Sequence, residues 1–170
     1  PFAGTWRLRL ATQGGGELID TGYHPTYRLL YLADSEIVSV RGTMGRFAQR
    51  IEGEDTASVQ IGFASGAIGE IYTSWAMPLP WGSYQIHLIG SKGQIFGSGN
   101  DMWVLRHGEA APQKIELKNT DQGVAQMAHF LDCIQTGNRP IHGAEEGRQT
   151  LEIILKAAQT AEGWQKYAQI

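Results

Sequence analysis

"TASVQIGFASGAIGEIYTSW", Thr56 to Trp75, decides the fold. Ala57, Val59, Ile61 and Phe63 alternate with Thr56, Ser58, Gln60 and Gly62, which is the period of a strand with one buried face. "ASG" at Ala64 to Gly66 supplies a turn, and "AIGEIYTSW" returns as a second strand, so the stretch predicts a hairpin.

Working outward, the period of two holds from Ile37 to about Leu117. "SYQIHLIGSKGQIFGS" repeats the hairpin plan with a turn at Ser91-Lys92-Gly93, and "MWVLRHG" with "QKIELKN" adds a further pair. On either side the spacing becomes helical. A helix is predicted from the Gly14-Gly15-Gly16 run to about Leu32, with Leu18, Leu29, Leu30 and Leu32 apolar and a kink or break between Gly22 and Pro25. Two more follow at Val124, Met127, Phe130, Leu131 and Ile134, and at Leu151, Ile154, Leu155 and Ala158, with "TGNRP" between them. Helix, antiparallel strands, then helices is an α+β order: an open, predominantly antiparallel sheet with helices on one face. The other face would carry Thr56, Ser58, Gln60, Ser74, Ser83 and Gln85, either solvated or buried against another copy.

Composition bounds the function. A chain of 170 residues with 42% hydrophobic residues can bury one real core and is expected to form a single globular domain. A net charge of -3 gives no basic footprint, which argues against nucleic acid and anionic membranes as partners. No stretch has the apolar length of a membrane span. The lone Cys133 cannot form an internal disulfide, which fits a reducing compartment and a cytoplasmic location, and it has no partner for a metal site. The opening "PFAGTWRLRLATQGGG" has no initiating methionine and reads as the middle of a longer chain, the expectation being an excised or processed fragment.

The chemistry rests on "GGGELIDTGYHPTYRLLYLAD", Gly14 to Asp34, where Asp20 and His24 stand four residues apart. One helical turn would bring both to one face near a helix N-terminus. The glycine runs lack the G-x-G-x-x-G spacing of a dinucleotide site, and "GSKGQIFGSG" sits in a hairpin pattern. H-E-x-x-H, C-x-x-C, G-x-S-x-G and P-loop patterns do not occur, and the other histidines show no metal-ligand spacing. On pattern alone Asp20 is equally an early-helix acid favoured by the helix dipole, and His24 a half-buried helix residue.

"GGGELIDTGYHPTYRLLYLAD", "EDTASVQIGFASGAIGEIYTSW", "IHLIGSKGQIFGS" and "FLDCIQTGNRPIHGAEEGRQTLEIILKAAQTA" resemble, in this order, the C-terminal domain of the glucose-fructose oxidoreductase / inositol dehydrogenase / rhizopine-catabolism family, Gfo/Idh/MocA. The resemblance covers nearly the whole chain. It implies that residues 1–170 are a substrate-binding and oligomerisation domain, and that the N-terminal Rossmann half with its E-K-P lysine is absent. The cofactor, NAD or NADP, would be bound mainly by that missing half, so the isolated chain is expected to be inactive. The family's D-x-x-x-H pair falls on Asp20 and His24, which the resemblance implies are catalytic in a dehydrogenase acting on a sugar, an inositol or a related polyol. Oxidising a secondary alcohol requires a proton to leave the hydroxyl, and a histidine titrates in the right range for it. A carboxylate one turn away can orient the imidazole, stabilise its charged form or hold a neighbouring hydroxyl.

The sequence departs from the family where many members carry a second acid three residues beyond the histidine: here Tyr27 stands. Arg7, Tyr27 and Trp81 are candidate substrate contacts, with a solvated strand edge the other reading of Arg7 and a core or interface the other reading of Trp81. The resemblance also implies a homo-oligomer through the open sheet face. A non-catalytic ligand sensor on the same fold is the alternative to the enzyme.

Overall fold

The computed structural model describes residues 4–77, 85–118 and 120–161. The chain divides into two compact units, one of residues 1–78 and 141–170 and the other of residues 79–140. The fold is α+β, with two open antiparallel sheets.

In the first unit, Trp6–Leu8 forms a 3-10 turn, followed by short helices α1 (Leu10–Gln13) and α2 (Glu17–Asp20) and the longer α3 (Tyr23–Ala33). Strands β1 (Ile37–Gly45), β2 (Thr56–Phe63) and β3 (Ile68–Ser74) make an antiparallel sheet in the order β1-β2-β3, and helix α5 (Ala144–Thr160) closes the unit. The hairpin of Thr56 to Trp75 is β2 and β3, paired from Thr56 with Ser74 to Gly62 with Ile68. Its alternation is real: Ala57, Val59, Ile61 and Phe63 are buried while Ser58 and Gln60 are exposed. Thr56 breaks the pattern. It lies on the polar phase yet is buried, because its hydroxyl is satisfied by Ser74 Oγ at 2.7 Å and Asp55 Oδ1 at 3.1 Å.

The buried sheet face meets α3 and α5. Leu18, Val40, Met44, Ile71, Ile153, Ile154 and Ala157 join the β2 residues in one core. Helix α5 lies against the backbone of β1: a Cβ on Gly42 would come within 2.4 Å of the Ala157 carbonyl oxygen, and the Gly42 amide donates to Thr160 Oγ1 at 3.0 Å. The buried stripe of α5 is Thr150, Ile153, Ile154 and Ala157, whereas the expected Leu151 and Leu155 are exposed. The stripe is turned by about one residue, and Thr150 can lie in it because its hydroxyl is satisfied by donating to the Glu146 carbonyl at 2.7 Å.

The second unit holds β4 (Ile86–Gly90), β5 (Gly93–Ser98), β6 (Asp101–Arg106) and β7 (Gln113–Ile115) in sequential order, and helix α4 (Gln122–Thr136). The Ser91-Lys92 turn joins β4 to β5 as the pattern predicts. Asp121 caps α4 by accepting the Val124 amide at 3.0 Å, and Gly137 ends it in the left-handed conformation at φ 72°. Among the apolar positions expected to face a core, Val124, Met127, Phe130, Leu131 and Ile134 are exposed; Cys133 is buried.

The strands thus form two sheets where the period of two suggested one. Ser58, Gln60 and Ser74 belong to the first sheet, Gln85 precedes β4 of the second, and Ser83 lies outside the described residues. On the first sheet's outward face Arg41, Gln60 and Glu70 stand in register across three strands, and Gln60 Nε2 donates to Glu70 Oε1 at 3.2 Å. Among the described residues no helix is long and apolar enough to cross a membrane.

Candidate functional site

The glycine run and the short helices on either side of it, α1 and α2, build the site. Gly14 ends α1 in the left-handed conformation, φ 84°, which favours glycine. Gly16 is required by closeness: a Cβ there would lie 2.0 Å from the Glu54 carbonyl oxygen. The loop is therefore clamped backbone to backbone against Gly53 and Glu54. Glu54 then caps α2 from a distant part of the chain, its carbonyl accepting the Glu17 amide at 2.9 Å and its carboxylate the Leu18 amide at 3.0 Å.

The helix expected to run through Asp20 and His24 is broken at Thr21-Gly22, slightly ahead of the window around Pro25. The amides of Thr21 and Gly22 both donate to the Glu17 carbonyl at 3.0 Å, which closes α2. α3 then starts at Tyr23, and Pro25 sits in its first turn, where a missing amide hydrogen costs nothing.

Asp20 is the last residue of α2 and His24 the second of α3, so the pair straddles the bend. The carboxylate of Asp20 is gripped in bidentate fashion by Arg7, whose Nε donates to Oδ2 and whose Nη2 donates to Oδ1 at 3.3 Å. Arg7 also lies over the Trp6 ring, 4.3 Å from its centroid. Its side chain keeps 34% of its surface, and two of its five N–H donors are directed at Asp20. His24 is exposed and makes an edge contact with Tyr23 at 6.2 Å between ring centroids. Among the described residues no hydrogen bond joins Asp20 to His24.

Tyr27 packs against the imidazole of His142, with centroids 3.9 Å apart, and Tyr23 Oη lies 3.3 Å from His142 Nε2. Burial raises the Tyr27 phenol above its ordinary value of 10.0, with Tyr31 and Glu146 adding to it. The structure therefore brings Arg7 to Asp20 and His142 to Tyr27. Trp81 lies outside the described residues. His142 was not singled out by the sequence, since its partner Tyr23 is 119 positions away and no spacing rule links them.

Two buried acids surround the bend. Glu17 is 1% exposed and Glu54 8% exposed. Burial raises the pKa of both above the ordinary 4.5; neighbouring charges from Glu54 and Asp20 add to it at Glu17, and Asp55 at Glu54, while hydrogen bonds oppose it. The folded chain holds these protons at pH values where the unfolded chain has released them, so both acids make stability fall as pH rises from about 4.5 through the raised values. Urea unfolding at pH 5 and pH 8 checks this: Glu17→Gln and Glu54→Gln should each reduce the loss of stability between the two. An unchanged loss in both variants would refute it.

The GFO/IDH/MocA C-terminal domain family model matches residues 1–96, more than half of the chain. A D-xylose 1-dehydrogenase (NADP(+)) from Haloarcula marismortui is 22% identical over 94% of this chain and 46% of its own length. A scyllo-inositol 2-dehydrogenase (NAD(+)) from Bacillus subtilis is 27% identical over 84% of this chain and 44% of its own. Among solved structures, the aldose-aldose oxidoreductase from Caulobacter crescentus complexed with glycerol matches at a TM-score of 0.80 and 27% identity, covering 93% of this chain and 49% of that one. The chain spans about half the length of the curated relatives it matches.

Proposed function

The chain belongs to the GFO/IDH/MocA family, and we propose that it is the substrate-binding and oligomerisation half of a nicotinamide-dependent oxidoreductase acting on a sugar, an inositol or a related polyol. The observation that carries this reading is the Asp20–His24 pair across the α2–α3 bend, with Asp20 held by Arg7 and His24 open to solvent. The xylose and inositol dehydrogenases among the relatives support the choice of substrate class.

The glycine run at Gly14 to Gly16 does not form a cradle for the phosphates of a dinucleotide. The space a close phosphate would need at Gly16 is filled by the Glu54 backbone. In this reading NAD or NADP is bound mainly by a dinucleotide-binding half carried by the longer protein. What this chain supplies is proton traffic and orientation. His24 takes the hydroxyl proton of the alcohol, or returns it in the reverse direction. In this reading Arg7, beside Asp20, and the phenol of Tyr27 hold neighbouring hydroxyls of the substrate.

The test is an absorbance assay on the protein that carries this chain together with a nicotinamide-binding half, run over aldoses, inositols and polyols with NAD and NADP. Turnover of at least one substrate is expected, and none by the isolated chain. Tight ligand binding without turnover by the longer protein would make it a sensor.

The outward face of the first sheet carries the oligomer. Ser58 and Gln60 are small or flexible and exposed on the central strand, which suits a flat two-fold contact with a second copy. Sedimentation equilibrium at micromolar concentration should show at least a dimer, lost in the Ser58→Arg, Gln60→Glu double variant. A monomer, or a dimer indifferent to those changes, would leave this face to solvent.

A further inference from the structure

We propose that Glu17 is a positioning residue for the Asp20–His24 pair, fixing the Thr21–Gly22 bend to strand β3 through its carboxyl oxygen Oε1. The inference rests on the reading of that pair given above. Oε1 accepts the Thr21 hydroxyl at 2.6 Å and the Thr73 hydroxyl of β3. A hydroxyl has one proton to give, so with Thr21's directed at Glu17 its lone pairs are left to accept the indole N–H of Trp75, which they do at 2.8 Å. The Glu17 carbonyl meanwhile takes the amides of Thr21 and Gly22. Both ends of this one residue thus hold the bend that separates Asp20 from His24. Gly22 has little freedom to drift, since a Cβ there would lie 2.7 Å from the Leu18 backbone.

Oε2 of Glu17 is buried and has no hydrogen-bond partner among the described residues. Both donors aim at Oε1, so a proton on the carboxyl resides on Oε2. The charges acting on the group are Glu54 from the loop before β2 and Asp20 from its own helix; β3 offers the Thr73 hydroxyl. Burial and the Glu54 and Asp20 charges favour a neutral carboxyl against the Thr21 and Thr73 hydroxyls, which favour the charged form, and the neutral form keeps a second negative charge away from Asp20 and its Arg7 clamp. Ionisation at higher pH would place like charges around the bend and loosen it.

The experiment uses the longer protein with its cofactor half and its best substrate, comparing Glu17→Gln, Glu17→Ala and Thr73→Val with wild type, and including Asp20→Asn and His24→Ala. Glu17→Gln should keep kcat within about threefold and lose the fall of kcat at alkaline pH. Glu17→Ala should lower kcat about tenfold or more, and Thr73→Val about threefold; if Glu17→Ala does not fold, Thr73→Val decides. Normal kcat in Glu17→Ala or Thr73→Val, a Glu17→Gln as impaired as the alanine variant, or a Glu17→Gln pH profile that superimposes on wild type overturns the inference. If Asp20→Asn and His24→Ala themselves turn over normally, the pair is not the site and Glu17 has nothing to position.

Discussion

His24→Ala in the longer protein is expected to lower turnover by about 10²- to 10⁴-fold, the usual worth of a positioned general acid or base, while unfolding shifts by less than about 0.5 kcal/mol. The two effects separate because His24 packs so little. Its ring is exposed and meets the edge of Tyr23, and its amide bonds to the Thr21 carbonyl at 3.3 Å, which alanine reproduces. The kinetic loss corresponds to about 3 to 5 kcal/mol of transition-state stabilisation, far above anything the missing contact supplies. Asp20→Asn should cost less turnover, since its carboxylate orients Arg7 rather than accepting the proton. Steady-state kinetics beside thermal unfolding measure both quantities. Turnover of His24→Ala within about threefold of wild type on every active substrate would remove it from the chemistry.

What could be read from the sequence follows the range of the interactions involved. The alternation of Ala57, Val59, Ile61 and Phe63 is a local pattern set by backbone geometry, and those residues are buried as a result. Thr56 defies the same pattern because its hydroxyl finds partners on Asp55 and Ser74, and Thr150 can be buried on α5 because its hydroxyl bonds its own helix. The helical spacing in α4 records its amphipathy but not what covers it, so Val124, Met127 and Phe130 are exposed. At the site, the Asp20–His24 spacing is visible to the eye, yet the partner of Asp20 is Arg7, 13 residues upstream. Glu17 reaches Thr73 across 56 residues and Leu18 reaches Glu54 across 36. No periodicity encodes such pairs. The glycine run is of the same kind: Gly16 is there for the close fit against Glu54, 38 residues away in the chain.

The largest stability loss is expected from Asp55→Ala. Asp55 is fully buried just before β2 and gathers the turn that follows β1. Its carboxylate accepts the amides of Phe47 at 3.0 Å and of Ala48 and Gln49 at 2.8 Å each, with the Thr56 hydroxyl at 3.1 Å. Its backbone joins both neighbouring segments, the amide donating to the Gly45 carbonyl at 3.0 Å and the carbonyl accepting the Trp75 amide at 2.7 Å. Alanine leaves the backbone links intact and strips away the acceptor, so three amides lose a charged partner at once. Hydrogen bonds to charged groups are worth about 1.5 to 3 kcal/mol each. Phe47 and Ala48 are exposed enough for water to recover part of that, which brings the expected loss to about 3 to 5 kcal/mol. A domain of this size has about 5 to 15 kcal/mol in total, so the midpoint temperature should drop on the order of 10 °C. Asp55→Asn keeps one acceptor oxygen but turns an amide donor toward the same N–H groups, and should fall between alanine and wild type. Urea unfolding of the three chains orders them directly. A loss below about 1 kcal/mol in the alanine variant would mean that the turn after β1 is held by other contacts and that the buried carboxylate contributes little.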